Sequence, residues 1–378
     1  MRGDRALINF AGNDYLALSQ HPHLRQAAAR AIESHGVGTG ASRLICGQFP
    51  IHHQLEKRFA QFKHAESALA FPSGYMANLA LLTTLAGPGD LICIDKLCHA
   101  SLIDAARASG AQFRVFPHRD YRSKLERLLG QHRHERTDSV AQDDRPARPA
   151  RCFIVTDSVF SMDGDVADLV LLCDLADQYD AILIVDEAHA TGVLGETGAG
   201  LCELQNVSQR VDVVISTASK ALGGLGGIVS GRKSLIDTLI NFARPFIYTT
   251  AIPAAQVAVI DAALDIVRDE PQRRARLAEL SGQLRTRVDQ IGLGTPPITN
   301  QHPIQTPIVP IVVGSAQAAL DLSAHLDNQG IFAPAIRPPT VAHDAARVRL
   351  TLRADMLDQD LDQLCTALAD WKSSSAGA

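Results

Sequence analysis

Short runs of apolar residues alternate with longer amphipathic stretches through most of the chain. The apolar runs are continuous, which is typical of strands that are covered on both faces of a sheet. Helix-like patterns lie between them at 75–85, 100–108 and 168–178. The predicted strands are 68–71, 91–94, 113–116, 152–156, 182–185, 211–216 and 227–229. This strand–helix–strand rhythm predicts an α/β fold with a doubly wound, mainly parallel sheet, whose site lies at the carboxyl ends of the strands.

The last third of the chain changes character. A helix is predicted after Pro253, and Pro271 separates it from a second helix that ends near Ile291. After a loop rich in Gly, Pro and Thr, the pattern resembles a βαβ remainder, with elements at 307–313, 316–329, 331–335 and 348–352 and a last helix to 372. We therefore predict an N-terminal segment (1–40), a large domain (41–284) and a small C-terminal domain (285–378). The charged, proline-containing stretch 131–150 is predicted to be an exposed insertion.

Composition narrows the class of protein. Hydrophobic residues make up 46% and charged residues 20%, which fits a globular protein with a large core. A formal net charge of -5 gives no electrostatic case for nucleic acid or an anionic membrane surface. The 7 cysteines are scattered without a zinc pattern, so we predict free thiols in a reducing compartment. With no secretory or membrane-spanning apolar run, a cytoplasmic location is expected.

One apolar run ends abruptly in polar residues that could carry chemistry. The predicted strand 182–185 is followed directly by Asp186, Glu187 and, after one alanine, His189. A carboxylate buried at a strand end is costly unless a cation meets it. The protonated pyridine ring of pyridoxal phosphate (PLP) is such a cation, and its proton makes the ring an electron sink. The alternative is a Mg²⁺-binding pair, which needs a phosphate loop ending in Gly-Lys-Ser/Thr, and the sequence contains none.

A second strand end supplies hydroxyls and an amine. Ser216, Thr217 and Ser219 lead to Lys220 and then into a glycine-rich stretch, about one crossover unit after Asp186. Short hydroxyls suit a phosphate, and glycines allow close approach of backbone and cofactor. A lone lysine is more often a surface residue, but the order of Asp186 and Lys220 on successive strands favours a PLP site. Lys220 is then predicted to hold the cofactor as a Schiff base.

Three further candidates follow predicted strands. Gly74 and Tyr75 open a helix, where backbone N–H groups form an anion site suited to the PLP phosphate. His99 could stack on the pyridine ring and hydrogen-bond a substrate carbonyl, and Ser161 could reach the cofactor. Taken singly, the same residues also fit a plain strand–helix turn, a helix-capping or core histidine, and a turn-stabilising serine.

The motifs together resemble a known family. They are NDYLALS (13–19), GTGASR (38–43), SGYMAN (73–78), CHASL (98–102), VFSMDGD (159–165), VDEAHATGVLGETGAG (185–200) and TASKALGG (217–224). This set is similar to that of the α-oxoamine synthases, a branch of the fold-type I (aspartate-aminotransferase-like) PLP enzymes. The resemblance implies a mainly parallel sheet in a large domain, a smaller C-terminal α/β domain, and a homodimer with active sites at the subunit interface.

Two C-terminal runs, 335–341 and 346–352, resemble the members of this family that serve biotin biosynthesis. They imply a PLP-dependent acyltransferase that condenses L-alanine with pimeloyl-CoA or a pimeloyl acyl carrier protein, giving 8-amino-7-oxononanoate, CO2 and the free thiol carrier. A sister synthase that uses glycine or serine with another acyl-CoA is an alternative, against which the run Arg337–Thr340 argues. The motifs also leave open a different PLP class, such as an aldolase or desulfurase, and a non-catalytic partner subunit, which would lack Lys220.

The resemblance also implies a role for individual residues. The implied catalytic residues are Lys220, His99, Asp186 and His189. The implied cofactor contacts are Gly74, Tyr75, Ser161, Asp186, Ala188, His189, Thr217, Lys220 and, from the partner subunit, Thr250. The implied substrate contacts are Asn13, His99, Arg337, Thr340 and Arg349, with Asn13 and Arg349 binding the alanine carboxylate. Family members begin with a helix bearing a substrate-contacting arginine, whereas the first motif starts at residue 13 here, so we expect that contact to the acyl substrate to be missing.

Overall fold

The computed structural model describes residues 5–132, 150–294 and 304–375. The insertion predicted at 131–150 lies almost wholly outside these residues, as does most of the loop predicted at 292–303. The chain forms two compact units. A small unit comprises Met1–Ala17, Ser161–Asp165 and Glu270–Ala378, and a large unit comprises Leu18–Phe160 and Val166–Asp269.

Strands and helices alternate along the described residues of both units. The strands are β1 (Ile8–Asn9), β2 (Ser67–Phe71), β3 (Leu91–Asp95), β4 (Gln112–Phe116), β5 (Cys152–Asp157), β6 (Ala181–Asp186), β7 (Val213–Thr217), β8 (Gly227–Gly231), β9 (Ile308–Gly314), β10 (Ile331–Phe332), β11 (Ala335–Ile336) and β12 (Ala346–Thr351). The labelled helices are α1 (Pro22–His35), α2 (Pro50–Phe62), α3 (Gly74–Leu85), α4 (Ala100–Ala108), α5 (Leu169–Tyr179), α6 (Leu201–Leu204), α7 (Lys233–Phe242), α8 (Arg244–Ile247), α9 (Ala254–Asp269), α10 (Gln272–Ile291), α11 (Ala316–Asn328) and α12 (Asp358–Ser375).

The large unit is built on a 7-stranded sheet with the order β2-β8-β7-β6-β5-β3-β4. The strands from β4 across to β7 are parallel, and β8 runs antiparallel to both of its neighbours. This confirms the predicted α/β fold with a mainly parallel sheet. The core contains fully buried side chains on the strands and on α3, including Phe71, Ile94, Val155, Ile184 and Leu81. Each such side chain contributes about 1.5–3 kcal/mol when it is removed from water.

One strand differs from the prediction that each run is covered on both faces. In β4, Gln112, Arg114 and Val115 are exposed, and Phe116 is fully buried. The strand lies at the edge of the sheet. An edge strand can remain partly open to solvent even when its residues form a continuous apolar run.

The small unit corrects the prediction of a βαβ remainder. Its 3-stranded sheet has the order β11-β12-β9 and is antiparallel, while β10 pairs in parallel with β1 in a separate 2-stranded sheet. The single strand predicted at 331–335 is therefore two short strands. Pro334 lies between them, and a proline cannot donate the backbone hydrogen bond that would continue a ladder.

Among the described helices, none is both long and apolar enough to cross a bilayer. All 7 cysteines are free thiols.

The carboxyl ends of the central strands bring acidic residues together. Asp157, the last residue of β5, lies beside Asp186, the last residue of β6, and Asp186 in turn lies beside Ile215 of β7. Parallel pairing therefore places two carboxyl groups side by side at the carboxyl ends of two central strands.

Candidate active site

A cavity of about 280 Å³ lies at the carboxyl ends of β5, β6 and β7 in the large unit. The predicted site residues that line it are Gly74, Tyr75, His99, Asp186, Ala188, His189, Thr217 and Lys220. Ser216 and Ser219 also line it, as do Asn78, Ser101 and Asp157. The structure thus brings most of the predicted cofactor residues to one place.

Asp186 is a buried carboxylate, 6% exposed. Its Oδ2 accepts a hydrogen bond from Asn78 Nδ2 at 3.0 Å, and its Oδ1 accepts one from the backbone N–H of Ala188 at 2.9 Å. Within the described residues both of these hydrogen-bond donors are neutral amides, so neither contact neutralises a charge on the carboxylate. Burial of that charge favours a cationic ligand. A pyridinium nitrogen, the cationic group of PLP, fits this requirement.

A second group of cavity residues suits a phosphate. Helix α3 begins at Gly74, after the N-cap residue Ser73, whose Oγ accepts a hydrogen bond from Met76 N at 3.2 Å. A Cβ placed on Gly74 would lie 3.6 Å from Thr217 Oγ1, so the helix start and this hydroxyl adjoin. Thr217 Oγ1 lies 2.8 Å from Ser219 Oγ. Helix N–H groups beside hydroxyls form an anion site, so the residues fit the phosphate of PLP.

Two loops carry Lys220 and His189, which also line the cavity. The backbone N–H of Ala218 donates to Gly226 O at 2.9 Å and that of Gly223 donates to Lys220 O at 3.0 Å, which closes the turn that carries Lys220. The loop after β6 is anchored by a buried ion pair between Lys63 and Glu187, which directly precedes Ala188 and His189. These contacts position the lysine and the histidine without occupying the cavity.

His99 has two roles that the sequence presented as alternatives. It is the N-cap of α4, because its Nδ1 accepts a hydrogen bond from the backbone N–H of Ser101 at 3.2 Å, and it also lines the cavity. Its Nδ1 lies 2.7 Å from Ser101 Oγ. Burial lowers the pKa of His99. The positive charge of Lys220 also lowers this pKa, whereas the negative charge of Asp186 partly offsets the decrease. The ring is therefore neutral at pH 7.

Asp157 was not identified from the sequence as a site residue. It is 4% exposed, and its Oδ1 accepts a hydrogen bond from the backbone N–H of His99 at 3.4 Å. Burial, followed by the negative charge of Asp186, raises the pKa of Asp157 well above its ordinary value. Asn78 and Ser101 were missed as well, although both lie inside motifs that the sequence singled out. The signal for Asp157 was its position at the end of a predicted buried strand.

Three predicted residues meet in the small unit. Arg349, on β12, is 6% exposed; its Nη2 donates to Asn13 Oδ1 at 3.2 Å, and its Nε donates to the backbone oxygen of Ser161. Tyr15 donates to the same Asn13 oxygen at 3.1 Å, and burial raises the pKa of Tyr15 to about 12. In the described residues Arg349 has no carboxylate partner, whereas Arg347 on the same strand pairs with Asp163. A buried guanidinium of this kind fits a carboxylate ligand.

The remaining predicted residues do not line the cavity. Thr250 is exposed and forms an isolated antiparallel bridge with Ser42 in the large unit. Arg337 and Thr340 are exposed in the small unit, where the backbone N–H of Thr340 donates to Arg337 O at 3.0 Å. The roles assigned to these residues, and to the Ser161 side chain, stay predictions.

Comparisons with known proteins show the family to which the chain belongs. The family model described as aminotransferase class I and II matches residues 5–368. A protein of Ectopseudomonas mendocina named 8-amino-7-oxononanoate synthase is 42% identical over 377 residues, which cover 99% of this chain and 91% of the relative. A structure of 8-amino-7-oxononanoate synthase from Francisella tularensis has a TM-score of 0.79 at 28% identity and covers 98% of this chain and 99% of its own. A serine palmitoyltransferase from S. paucimobilis with PLP and myriocin bound has a TM-score of 0.89 at 25% identity, over 100% of this chain and 90% of its own.

Proposed function

Because the chain belongs to the class I and II aminotransferases and, within them, to the PLP-dependent 8-amino-7-oxononanoate synthases, we propose that it condenses L-alanine with a pimeloyl thioester in biotin biosynthesis. The products are 8-amino-7-oxononanoate, CO2 and the free thiol carrier. The observation that supports this most is the identity of 42% over 99% of the chain to a relative of that name, together with a cavity lined by the predicted cofactor residues.

Different cavity residues would contact different groups of PLP. Asp186 would retain the proton of the pyridine nitrogen, His189 would contact the ring hydroxyl, and Lys220 would attach the cofactor covalently. Gly74 and Thr217 would bind the phosphate through the start of α3 and its neighbouring hydroxyl. When bound, PLP withdraws electrons from the α-carbon of an amino acid.

Arg349 and Asn13 are proposed to bind the carboxylate of L-alanine. Arg349 Nη2 already contacts Asn13 Oδ1 at 3.2 Å, so the two side chains are held together before a ligand arrives. A guanidinium can bind a carboxylate through two parallel hydrogen bonds, which fixes orientation as well as position. Binding of the carboxylate in this way would orient the Cα–H bond of alanine, whose hydrogen is removed in the reaction.

Lys220 and His99 are proposed to handle the proton and the developing charge. After the amine of alanine has replaced Lys220 on the cofactor, the freed Lys220 Nζ would take the proton from the α-carbon of alanine, since it lines the same cavity as Asp186. His99 is neutral and its Nδ1 is an acceptor, so its Nε2–H is the ring donor for the thioester oxygen on which negative charge develops.

We further propose that the enzyme is a homodimer in which Thr250 reaches the cofactor phosphate of the partner subunit. Large apolar side chains of the large unit are strongly exposed, including Ile45 at 79% and Tyr248 at 70%, and Tyr248 lies two residues before Thr250. Cover by a second copy would remove this apolar surface from water. Light scattering on the purified protein should give twice the chain mass of 40.6 kDa, and a monomeric mass at micromolar concentration would contradict the dimer.

The substrate assignment is tested by product analysis. The purified PLP-bound protein is incubated with L-alanine, glycine or L-serine, each with pimeloyl-CoA or a pimeloyl acyl carrier protein, and products are identified by mass spectrometry. L-alanine should give 8-amino-7-oxononanoate with at least one of the thioesters, at a higher kcat/KM than the other amino acids. Preference for glycine or serine would overturn the proposal and leave PLP dependence intact.

A further inference from the structure

We infer that Asn78 and Ser101 are positioning residues that fix which ring nitrogen of His99 carries the proton. They form a continuous hydrogen-bonded chain from Asp186 to His99 in the wall of the cavity. The inference rests on the proposed function only for the role of His99 toward the thioester oxygen. The proton arrangement itself depends on contacts within the large unit.

The chain begins at Asn78, a residue of α3 that is 2% exposed. Its Nδ2 donates to Asp186 Oδ2 at 3.0 Å and to Ser101 Oγ at 2.8 Å. A carboxylate only accepts hydrogen bonds, so the amide nitrogen of Asn78, and not its oxygen, must face Asp186. The charge of Asp186 thereby sets the orientation of the Asn78 amide.

The orientation of the amide is kept at a cost. Within the described residues, Asn78 Oδ1 is buried with no hydrogen-bond partner. An unsatisfied buried acceptor typically costs about 1–3 kcal/mol. Rotation of the amide would bring this oxygen against Asp186 Oδ2, so the unsatisfied acceptor is the smaller penalty.

Ser101 passes the arrangement on to His99. The Ser101 hydroxyl accepts from Asn78 Nδ2, which leaves its own proton to be donated to His99 Nδ1 at 2.7 Å. The backbone N–H of Ser101 donates to the same Nδ1 at 3.2 Å. Two donors directed at Nδ1 require it to be the unprotonated nitrogen, so the ring proton of neutral His99 resides on Nε2.

The consequence is that His99 always presents a donor. The opposite tautomer would place its proton against two donors at Nδ1 and would leave Nε2 as an acceptor, which would repel the negative oxygen of a reacting thioester. Asn78 and Ser101 contact neither the thioester nor the reacting carbon in this scheme. Their effect on turnover passes through His99, as for residues that orient a ligating or catalytic histidine elsewhere.

A purely structural role for the same residues makes a different prediction. Asn78 lies on α3 and Ser101 on α4, so their hydrogen bond also joins two packed helices. If that were its only role, its loss would lower the melting temperature and leave the His99 tautomer and the rate of chemistry unchanged. The two roles are therefore separable by a spectroscopic readout.

The test is long-range ¹H–¹⁵N NMR of the PLP-bound protein labelled at its histidine rings, with the His99 signals assigned by their loss in His99→Gln. The wild-type spectrum should show a single His99 tautomer, protonated at Nε2. Ser101→Ala should give a mixture of tautomers and a kcat about tenfold lower, the equivalent of one neutral hydrogen bond, with KM for L-alanine unchanged. Ser101→Thr, which keeps the hydroxyl, is the matched control and should restore the single tautomer.

Three results would overturn the inference: an Nδ1-protonated wild-type ring, a Ser101→Ala protein with the wild-type tautomer and kcat, or a Ser101→Thr protein as disordered in tautomer as Ser101→Ala. The wild-type measurement needs no variant to fold. Failure of the proposed function is distinguishable, because wild-type protein that makes no product from L-alanine would still report its His99 tautomer.

Discussion

Two aspartates end neighbouring strands beside the cavity, and their hydrogen-bond partners differ. Asp157 is buried near the negative charge of Asp186, which raises the pKa of Asp157 well above its ordinary value of 3.8. Asp157 therefore holds its proton more tightly than an ordinary aspartate, and Asp186 is the carboxyl group that we assign as the partner of a pyridinium nitrogen. Pairs of acids whose environments separate their pKa values commonly divide their roles in this way.

This division predicts different effects for two isosteric changes. Asp157→Asn replaces a carboxyl group that holds its proton tightly with a neutral amide and should bind PLP as wild type does, whereas Asp186→Asn removes the carboxyl group assigned to the pyridinium nitrogen and should weaken PLP binding by about tenfold or more. Fluorescence titration of the apoprotein with PLP measures both. Equal losses of affinity in the two variants would contradict the assigned roles of the two aspartates.

The same pKa shift predicts a pH dependence of stability. The folded chain holds the Asp157 proton more tightly than the unfolded chain, so its contribution to stability is full below pH 3.8 and is lost as the pH rises through the folded pKa. Asp157→Asn should flatten this fall in the melting temperature of the apoprotein between about pH 4 and neutrality. An unchanged slope would show that Asp157 does not take up a proton on folding.

Two arginines two positions apart on β12 offer a matched comparison. Arg347 is paired with Asp163, and Arg349 contacts Asn13 and a backbone oxygen. Arg349→Gln should raise KM for L-alanine by roughly tenfold to a hundredfold, since a hydrogen bond to a charged group is worth about 1.5–3 kcal/mol. Arg347→Gln should lower the melting temperature and leave that KM within about twofold. Steady-state kinetics with both variants decide, and an unchanged KM for the Arg349 variant would refute the carboxylate assignment.

At the residue scale, strand ends pointed to residues that the structure brings together around one cavity. Asp186, Thr217 and Lys220 follow apolar runs, and the end of a buried strand is an informative position. Asn78 and Ser101 lie within helices, where a small polar residue carries no sign of which face it occupies or what it contacts. Their part in the site depends on α3 and α4 meeting beside β6, which is a property of the fold.

At the scale of elements, the start of α3 depends on the start of β8. A Cβ on Gly227 would lie 2.5 Å from Ser73 O and 2.6 Å from Gly74 Cα, so only a glycine fits beside the proposed phosphate site. The lack of a side chain at this position therefore brings the strand close enough to fix the helix terminus.

Gly227→Ala should consequently shift the N-terminus of α3. Overpacking of this kind typically costs about 1–3 kcal/mol, and both the melting temperature and the affinity for PLP should fall. Gly87→Ala is the control, because a Cβ there would meet nothing within 4 Å. Thermal melts and PLP titration of the two variants provide the measurements, and a Gly227 variant that matches the Gly87 variant in both would contradict the packing argument.

The elements themselves were largely predictable because burial on both faces imposes continuous apolar runs. Pairing direction was not, since an antiparallel strand such as β12 has the same local pattern as a parallel one. The exposed face of β4 was missed for a related reason, because periodicity does not reveal which strand forms the edge. Pro334 was a visible signal in the sequence that the run at 331–335 would break into two strands.

At the scale of the whole molecule, the small unit gathers stretches from distant parts of the chain. Phe10, beside β1, accepts a hydrogen bond from the backbone N–H of Thr351, and Gly164 O accepts one from Thr306 Oγ1. Local pattern cannot predict such associations, because they depend on contacts between residues far apart in sequence. The family resemblance, in contrast, extends over nearly the whole chain and identified the enzyme class correctly.

The central claim is that the enzyme joins the α-carbon of L-alanine to a pimeloyl group with loss of the alanine carboxyl carbon. The most direct measurement supplies L-[1-¹³C]alanine and pimeloyl-CoA to the PLP-bound enzyme and follows the label in both CO2 and product by mass spectrometry. We expect one labelled CO2 for each molecule of unlabelled 8-amino-7-oxononanoate. Label retained in the condensation product, or product formed without labelled CO2, would contradict it.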